Sequence, residues 1–80
     1  MVRLKPEEFE VEGEVLEALP NMTFKVRLAT GPETLMGKEV LAKMSGQMRM
    51  FKIKVMPGDH VKLTMTKYDS TRGRITFRTK

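Results

Sequence analysis

The side chains of this sequence that could act as a general acid or base are its carboxylates and a single histidine. Glu10, Glu12 and Glu14 occupy alternate positions, and on a strand this spacing turns all three carboxylates toward water instead of into a common cleft. His60 follows Asp59 at a turn, and one histidine in a chain without cysteine does not build a His/Cys metal site. The glycines stand singly, without the spacing of a phosphate-binding loop. We therefore expect a protein that is not an enzyme and needs no metal or cofactor.

The cations offer a different chemistry, because guanidinium groups bind phosphate through paired hydrogen bonds and arginine or aromatic rings stack on exposed bases. Residues 1–40 contain five Lys or Arg and eight Glu, a net −3, whereas residues 41–80 contain ten Lys or Arg and two Asp, a net +8. A basic half favours a polyanionic partner, with an ordinary solvated surface as the alternative. Its cations form two groups: Arg49, Lys52 and Lys54, with Phe51 among them, in SGQMRMFKIK, and Arg72, Arg74, Arg78 and Lys80 near the C-terminus.

Aromatic residues are few, with four Phe and one Tyr in the chain. Proteins that bind single strands without sequence preference use a face of several aromatic side chains. The composition instead favours a folded RNA, bound through phosphate and sugar contacts and a few inserted side chains. For Met48, Met50 and Phe51 the alternative is that they fill the core.

Alternation of apolar and polar residues with a period of two predicts five short strands, which must position these cations. Strands of this kind satisfy their edges by curling into a barrel, and Gly13 would mark a sharp bend in the first strand. The residues expected to face the core are, strand by strand, Phe9, Val11, Gly13 and Val15; Met22, Phe24, Val26 and Leu28; Val40, Ala42 and Met44; Val61, Leu63 and Met65; and Ile75 and Phe77.

Two connections depart from this alternation. Residues 45–51 predict a short helical turn, capped by Ser45, between the third and fourth strands, which is a feature of the OB-fold barrel. An SH3-like barrel has the same number of strands and stays the alternative. Residues 29–38, with Gly31 and Gly37, predict an extended hairpin loop, interpreted as mobile and inert in preference to a functional finger.

The length bounds the organisation of the chain. Eighty residues make one all-β domain over 1–80, with a flexible N-terminus at residues 1–8. No apolar run is long enough for a membrane span or a signal sequence, so we expect a soluble, unprocessed monomer.

The stretches EGEVLEALPNMTFKVRL, SGQMRMFKIKVMPGDHVKL and KYDSTRGRITFR, taken together and in this order, resemble the family of bacterial and plastid translation initiation factor one. The resemblance covers roughly residues 9–79. It implies a five-stranded OB barrel that binds 16S ribosomal RNA in the A site of the small ribosomal subunit, beside a ribosomal protein. It also implies a block on premature tRNA entry, initiation factors two and three as partners, and a cytoplasmic location, with the plastid stroma as the alternative.

The family motifs map onto particular residues of this chain. The resemblance implies that the turn around Arg49 is inserted at the decoding helix, and that the last hairpin supplies a second set of basic contacts. Gln47 stands where the family commonly has lysine, and the loop at 29–38 is longer than usual. The residues expected to bind RNA are Ser45, Gly46, Gln47, Met48, Arg49, Phe51, Lys52, Lys54, Tyr68, Arg72, Gly73, Arg74 and Arg78, with Asp69 part of the hairpin motif.

Two other functions stay open. A general RNA chaperone of the cold-shock/S1 type would share the OB barrel and bind any unstructured RNA, but the few aromatic residues argue against it. A protein-interaction adaptor would use the loop at 29–38, and the charge asymmetry argues for RNA instead.

Overall fold

The computed structural model describes residues 7–31, 33–51 and 53–79. The elements are β1 (Glu8–Leu19), β2 (Thr23–Leu28), β3 (Glu39–Met44), α1 (Gly46–Met50), β4 (His60–Thr66) and β5 (Asp69–Arg78). The strands close into a barrel in the order β1-β2-β3-β5-β4, in which β3 and β5 pair in parallel. This order, with α1 between β3 and β4, is that of an OB fold and confirms the predicted five-stranded all-β barrel over the SH3-like alternative. No helix in the described ranges is long and apolar enough to cross a membrane.

The barrel interior is filled by apolar side chains that the alternation places inward. Burying each Val, Leu, Ile, Phe or Met side chain contributes about 1.5 to 3 kcal/mol relative to leaving it in water. The connections add three more buried residues, Leu35, Met48 and Val55. The inward residues that the structure buries as predicted are Val11, Val15, Phe24, Val26, Leu28, Val40, Ala42, Met44, Val61, Leu63, Met65 and Ile75.

Gly13 lies where β1 passes from one neighbouring strand to the other. It pairs with Val61 of β4 and with Leu28 of β2. A Cβ atom at this position would lie 2.6 Å from the carbonyl oxygen of Arg27 and 2.7 Å from Cγ1 of Val26. A side chain does not fit there, so this position needs glycine because the backbone of β2 approaches it so closely.

Two side chains predicted to face the core are exposed. Met22 belongs to the turn between β1 and β2 and has a left-handed φ of 57°. Phe77 is exposed because Thr76 is an extra residue between two neighbouring pairs of β4 and β5, in which Phe77 is opposite Lys62 and Ile75 opposite Leu63. Such a bulge shifts the alternation by one residue and turns Phe77 outward.

The loop between β2 and β3 folds back onto the barrel. The amide of Ala29 donates to the carbonyl of Glu12 at 2.8 Å, and the amide of Glu12 donates to Oγ1 of Thr30 at 3.0 Å. Leu35 inserts its side chain into the core and is 6% exposed. The described part of this loop therefore packs as an extension of the fold, and the mobility of its tip stays a prediction. Pro32 and the N-terminal residues 1–6 lie outside the described residues.

Candidate nucleic-acid interface

The helical turn α1 begins at the point where β3 and β5 part. The amide of Ser45 donates to the carbonyl of Ile75 at 2.9 Å, which ties the start of the turn to β5. Oγ of Ser45 accepts a hydrogen bond from the amide of Met48 at 3.3 Å, and its carbonyl accepts one from the amide of Arg49 at 3.1 Å. Ser45 is thus the N-cap that its position predicts, and its own hydroxyl is engaged in the fold.

The side chains of this turn divide between the core and the surface. Met48 is 2% exposed, so its side chain fills the core, and its predicted contact with RNA stays a prediction. Phe51 is 64% exposed, which rules out core filling for this residue. Gly46 is exposed, with open space where a Cβ would stand. The side chain of Gln47 and all of Lys52 lie outside the described residues.

A groove of about 390 Å³ lies between this turn and the turn that joins β1 to β2. We call it the α1 groove. Arg49 and Lys54 contribute cationic side chains to an otherwise apolar lining. Such a lining suits the flat face of an unstacked base, and a cation beside it suits the phosphate of the same nucleotide. The remaining lining residues are Met22, Phe24, Met44, Ile53 and Val55.

The parallel pairing of β3 with β5 sets a second group of cations side by side. Lys43 is the partner of Arg74, and Leu41 is the partner of Arg72. All four side chains are exposed, because the residues between them on each strand face the interior. Gly73 is half-buried between its two arginines and has no side chain to offer. We refer to Lys43, Arg72 and Arg74 as the cationic row.

Most of these cations are available to an outside partner. Among the described residues, Lys43, Arg49 and Arg72 take part in none of the ion pairs. Arg74 differs, because its Nη2 lies 3.7 Å from a carboxylate oxygen of Glu8. Sequence reasoning missed Lys43, since only the pairing of two strands far apart in the chain places it beside Arg74.

Arg78 is bound within the protein. Its Nη1 donates to the carbonyl of Lys54 at 2.8 Å and lies 3.8 Å from Oδ2 of Asp59. The same Oδ2 accepts a hydrogen bond from the amide of Met56 at 2.9 Å. Arg78 therefore braces the segment that carries Lys54, and its predicted contact with RNA stays a prediction that competes with this role.

The hairpin between β4 and β5 is held by Asp69. Its Oδ1 accepts hydrogen bonds from the hydroxyl of Thr71 at 2.6 Å and from the amide of Thr71 at 2.9 Å. These bonds favour the ionised carboxyl and hold the pKa of Asp69 below its usual value. Next to it, Tyr68 is 77% exposed, with Nζ of Lys67 at 5.5 Å from the ring centre.

More aromatic side chains are exposed than the alternation predicts. Phe51, Tyr68 and Phe77 all lie at the surface, and Nζ of Lys62 stands 6.0 Å from the centre of the Phe77 ring. Tyr68 and Phe77, however, flank opposite ends of β5, roughly 25 to 30 Å apart along the strand. They do not form the continuous stacking face of a generic single-strand binder.

The alternating carboxylates of β1 do not point into a common cleft. Glu10, Glu12 and Glu14 are exposed on the outer face of the strand. Within the described ranges, no group of three or more His, Cys, Asp or Glu side chains is arranged to hold a metal ion.

Comparison with known proteins identifies the family and similar folds. Residues 2–80 match the family described as Translation initiation factor 1A / IF-1. Among solved structures, the solution structure of translation initiation factor IF-1 from the wolbachia endosymbiont strain TRS of Brugia malayi is 36% identical, with a TM-score of 0.70, covering 94% of this chain and 82% of that one. The crystal structure of YjeQ from Thermotoga maritima is 25% identical, with a TM-score of 0.64, and covers 90% of this chain but only 23% of that one.

Proposed function

This chain belongs to the translation initiation factor 1A / IF-1 family, and from that premise we propose that it binds 16S ribosomal RNA in the decoding A site of the small ribosomal subunit. There it blocks premature entry of tRNA and works with initiation factors two and three. One observation carries the proposal. The cationic row and the α1 groove are neighbours, because the turn that lines the groove begins where Lys43 and Arg74 pair.

The α1 turn is the part that enters the RNA. Its bonds to β5 and its N-cap hold the backbone rigid, so that Arg49 and Phe51 project from a fixed base. A base displaced from its stack fits the apolar floor of the α1 groove, and Arg49 and Lys54 then lie close enough to bind its phosphate.

The cationic row supplies the second anchor. Phosphate contacts fix position and orientation without reading sequence, so three cations on two paired strands orient the barrel on the folded RNA. Gly73 keeps this surface flat between the two arginines. Tyr68 extends the same hairpin, and Arg78 acts indirectly by holding the backbone of Lys54.

The cellular setting follows from the proposed activity. The factor acts as a monomer without a cofactor, in the cytoplasm or, for a plastid protein, in the stroma. The anchored loop at 29–38 leaves Met36 exposed and is free to contact another factor on the ribosome.

Chemical probing of small ribosomal subunits, with and without the protein, tests the proposal. We expect protection confined to bases of the decoding region, together with weaker binding of tRNA in the A site. Arg49→Ala should lose this protection, whereas Lys25→Ala should keep it, because Lys25 is already paired with Glu17 at 3.8 Å.

A general RNA chaperone is the second candidate, because the rings of Phe51, Tyr68 and Phe77 are exposed, although Tyr68 and Phe77 lie too far apart to form one stacking face. It predicts diffuse protection along the ribosomal RNA and comparable affinity for any unstructured RNA. Either result would replace the proposal of a single ribosomal site.

A further inference from the structure

A small groove of about 200 Å³ lies on the outer surface where β1, β4 and β5 meet. We call it the β4 groove. Its lining combines two guanidinium groups, from Arg72 and Arg74, with the hydroxyl of Thr64. Two carboxylates, from Glu8 and Asp69, complete the charged groups around it.

Thr64 is buried although it lies on the outward face of its strand. Its neighbours Leu63 and Met65 fill the core, so alternation points Thr64 away from the interior. Its side chain is nevertheless only 6% exposed, and Oγ1 has no hydrogen-bond partner among the described residues. An unsatisfied buried hydroxyl destabilises a fold, and valine would occupy the same strand position without that cost.

The ion pair between Glu8 and Arg74 lies at the same groove as this hydroxyl. Because β4 lies between β1 and β5 in the barrel, a contact between Glu8 on β1 and Arg74 on β5 has to cross over β4. Thr64 is the residue of β4 that pairs with Arg74. On the other side of β4, Glu8 pairs with Thr66, so the two side chains form an oblique bridge across β4 beside the hydroxyl.

We propose that the β4 groove is a phosphate subsite in which Glu8 takes the place of the phosphate until RNA binds, a step that rests on the proposed function. A carboxylate and a phosphate offer guanidinium the same pairs of acceptor oxygens. When a backbone phosphate takes Arg74 from Glu8, the bridge opens and Oγ1 of Thr64 donates to a phosphate oxygen. The hydroxyl, which has no partner among the described residues of the free protein, thereby gains one.

Glu8 also makes the subsite selective. Its charge repels any anion that approaches Arg74, so a free phosphate ion has to overcome that repulsion without help from other contacts. A phosphate within an RNA that is already held by Lys43 and Arg49 arrives at high effective concentration. The groove thus selects the phosphate of a correctly placed RNA over phosphate in solution.

Four variants of the full chain test this subsite by their affinity for small ribosomal subunits. Thr64→Val should weaken binding by roughly ten- to a hundredfold, the effect of losing one hydrogen bond to a charged group, while the melting temperature stays equal or rises. Thr64→Ser should keep the affinity. Glu8→Gln should tighten binding several-fold, and Glu39→Gln is its matched control, because Glu39 pairs with Arg27 at 3.9 Å away from this groove.

Two results in this assay would overturn the subsite. One is wild-type affinity for Thr64→Val. The other is an equal increase in affinity for Glu8→Gln and Glu39→Gln, which would mean that Glu8 acts only through the overall charge of the protein.

Inorganic phosphate, followed by amide chemical shifts, separates the subsite from the proposed function. We expect shifts at Thr64 and Arg74 in Glu8→Gln, much smaller shifts in the wild type, and none in Glu8→Gln combined with Thr64→Val. If the wild type does not bind subunits, the proposed function fails, and this titration alone decides whether the phosphate subsite exists. Shifts as large in the wild type as in Glu8→Gln would refute the role of Glu8 as a competitor.

Discussion

Glutamine in place of Lys43 should weaken RNA binding, whereas glutamine in place of Arg78 should weaken the fold. Sequence reasoning expects Arg78 to bind RNA and assigns no role to Lys43. Lys43 is an exposed cation beside Arg74 and has no ion pair among the described residues. Arg78 directs its guanidinium to the carbonyl of Lys54 and the carboxylate of Asp59.

The expected magnitudes follow from these contacts. If Lys43, Arg49, Lys54, Arg72 and Arg74 each neutralise one phosphate, the logarithm of affinity falls with the logarithm of salt at a slope of roughly −3.5 to −4.5. Lys43→Gln should make this slope shallower by about 0.7 to 0.9 and leave stability unchanged. Arg78→Gln should keep the slope but lower the free energy of unfolding by about 1 kcal/mol, since it removes one charged hydrogen bond and a half-exposed ion pair.

Binding of the labelled protein to small ribosomal subunits over a series of KCl concentrations measures the slope, and thermal unfolding measures stability. Both variants lose one positive charge, so each serves as the charge control for the other. A shallower slope with an unchanged melting temperature for Arg78→Gln would refute the reasoning, because Arg78 would then contact RNA and not brace the fold.

Three further predictions concern the fold. Gly13→Ala should lower the free energy of unfolding by about 2 to 3 kcal/mol through steric overlap with β2, whereas Gly46→Ala, where a Cβ meets nothing within 4 Å, should stay near wild type in chemical denaturation. In the same denaturation experiment, Leu35→Ala should lower the free energy of unfolding by about 2 to 4 kcal/mol, and Met36→Ala, at an exposed position, by less than about 0.5 kcal/mol. Equal values would mean that the loop is not anchored. The lowered pKa of Asp69 means that its ionised carboxyl stabilises the fold at pH values above the pKa of the unfolded state. This contribution is lost as the pH falls through the lower pKa of the folded state. Asp69→Asn should therefore make the melting temperature depend less on pH in the acid range.

Much of the barrel could be predicted from local pattern. Period-two alternation identifies the inward residues of β1, β3 and β4 because a strand turns successive side chains to opposite faces wherever it lies in the fold. The N-cap role of Ser45 is likewise a local property, since its hydroxyl bonds to an amide three residues along the chain. The basic character of the C-terminal half can be predicted from its amino-acid composition alone.

The composition of the site was decided by contacts between residues far apart in the chain. The parallel pairing of β3 with β5 places Lys43 beside Arg74, and closure of the barrel brings Glu8 across β4 to the same arginine. The bulge at Thr76 turns Phe77 outward, and Arg78 beyond it is bound to Lys54 and Asp59. Alternation reports which face a side chain occupies but not which strand lies next to it or where an extra residue interrupts the pairing. For that reason the sequence pattern by itself determined a basic five-stranded barrel with a helical turn, and only the tertiary structure decided which of the described cations are paired within the protein and which hydroxyl lies beside them.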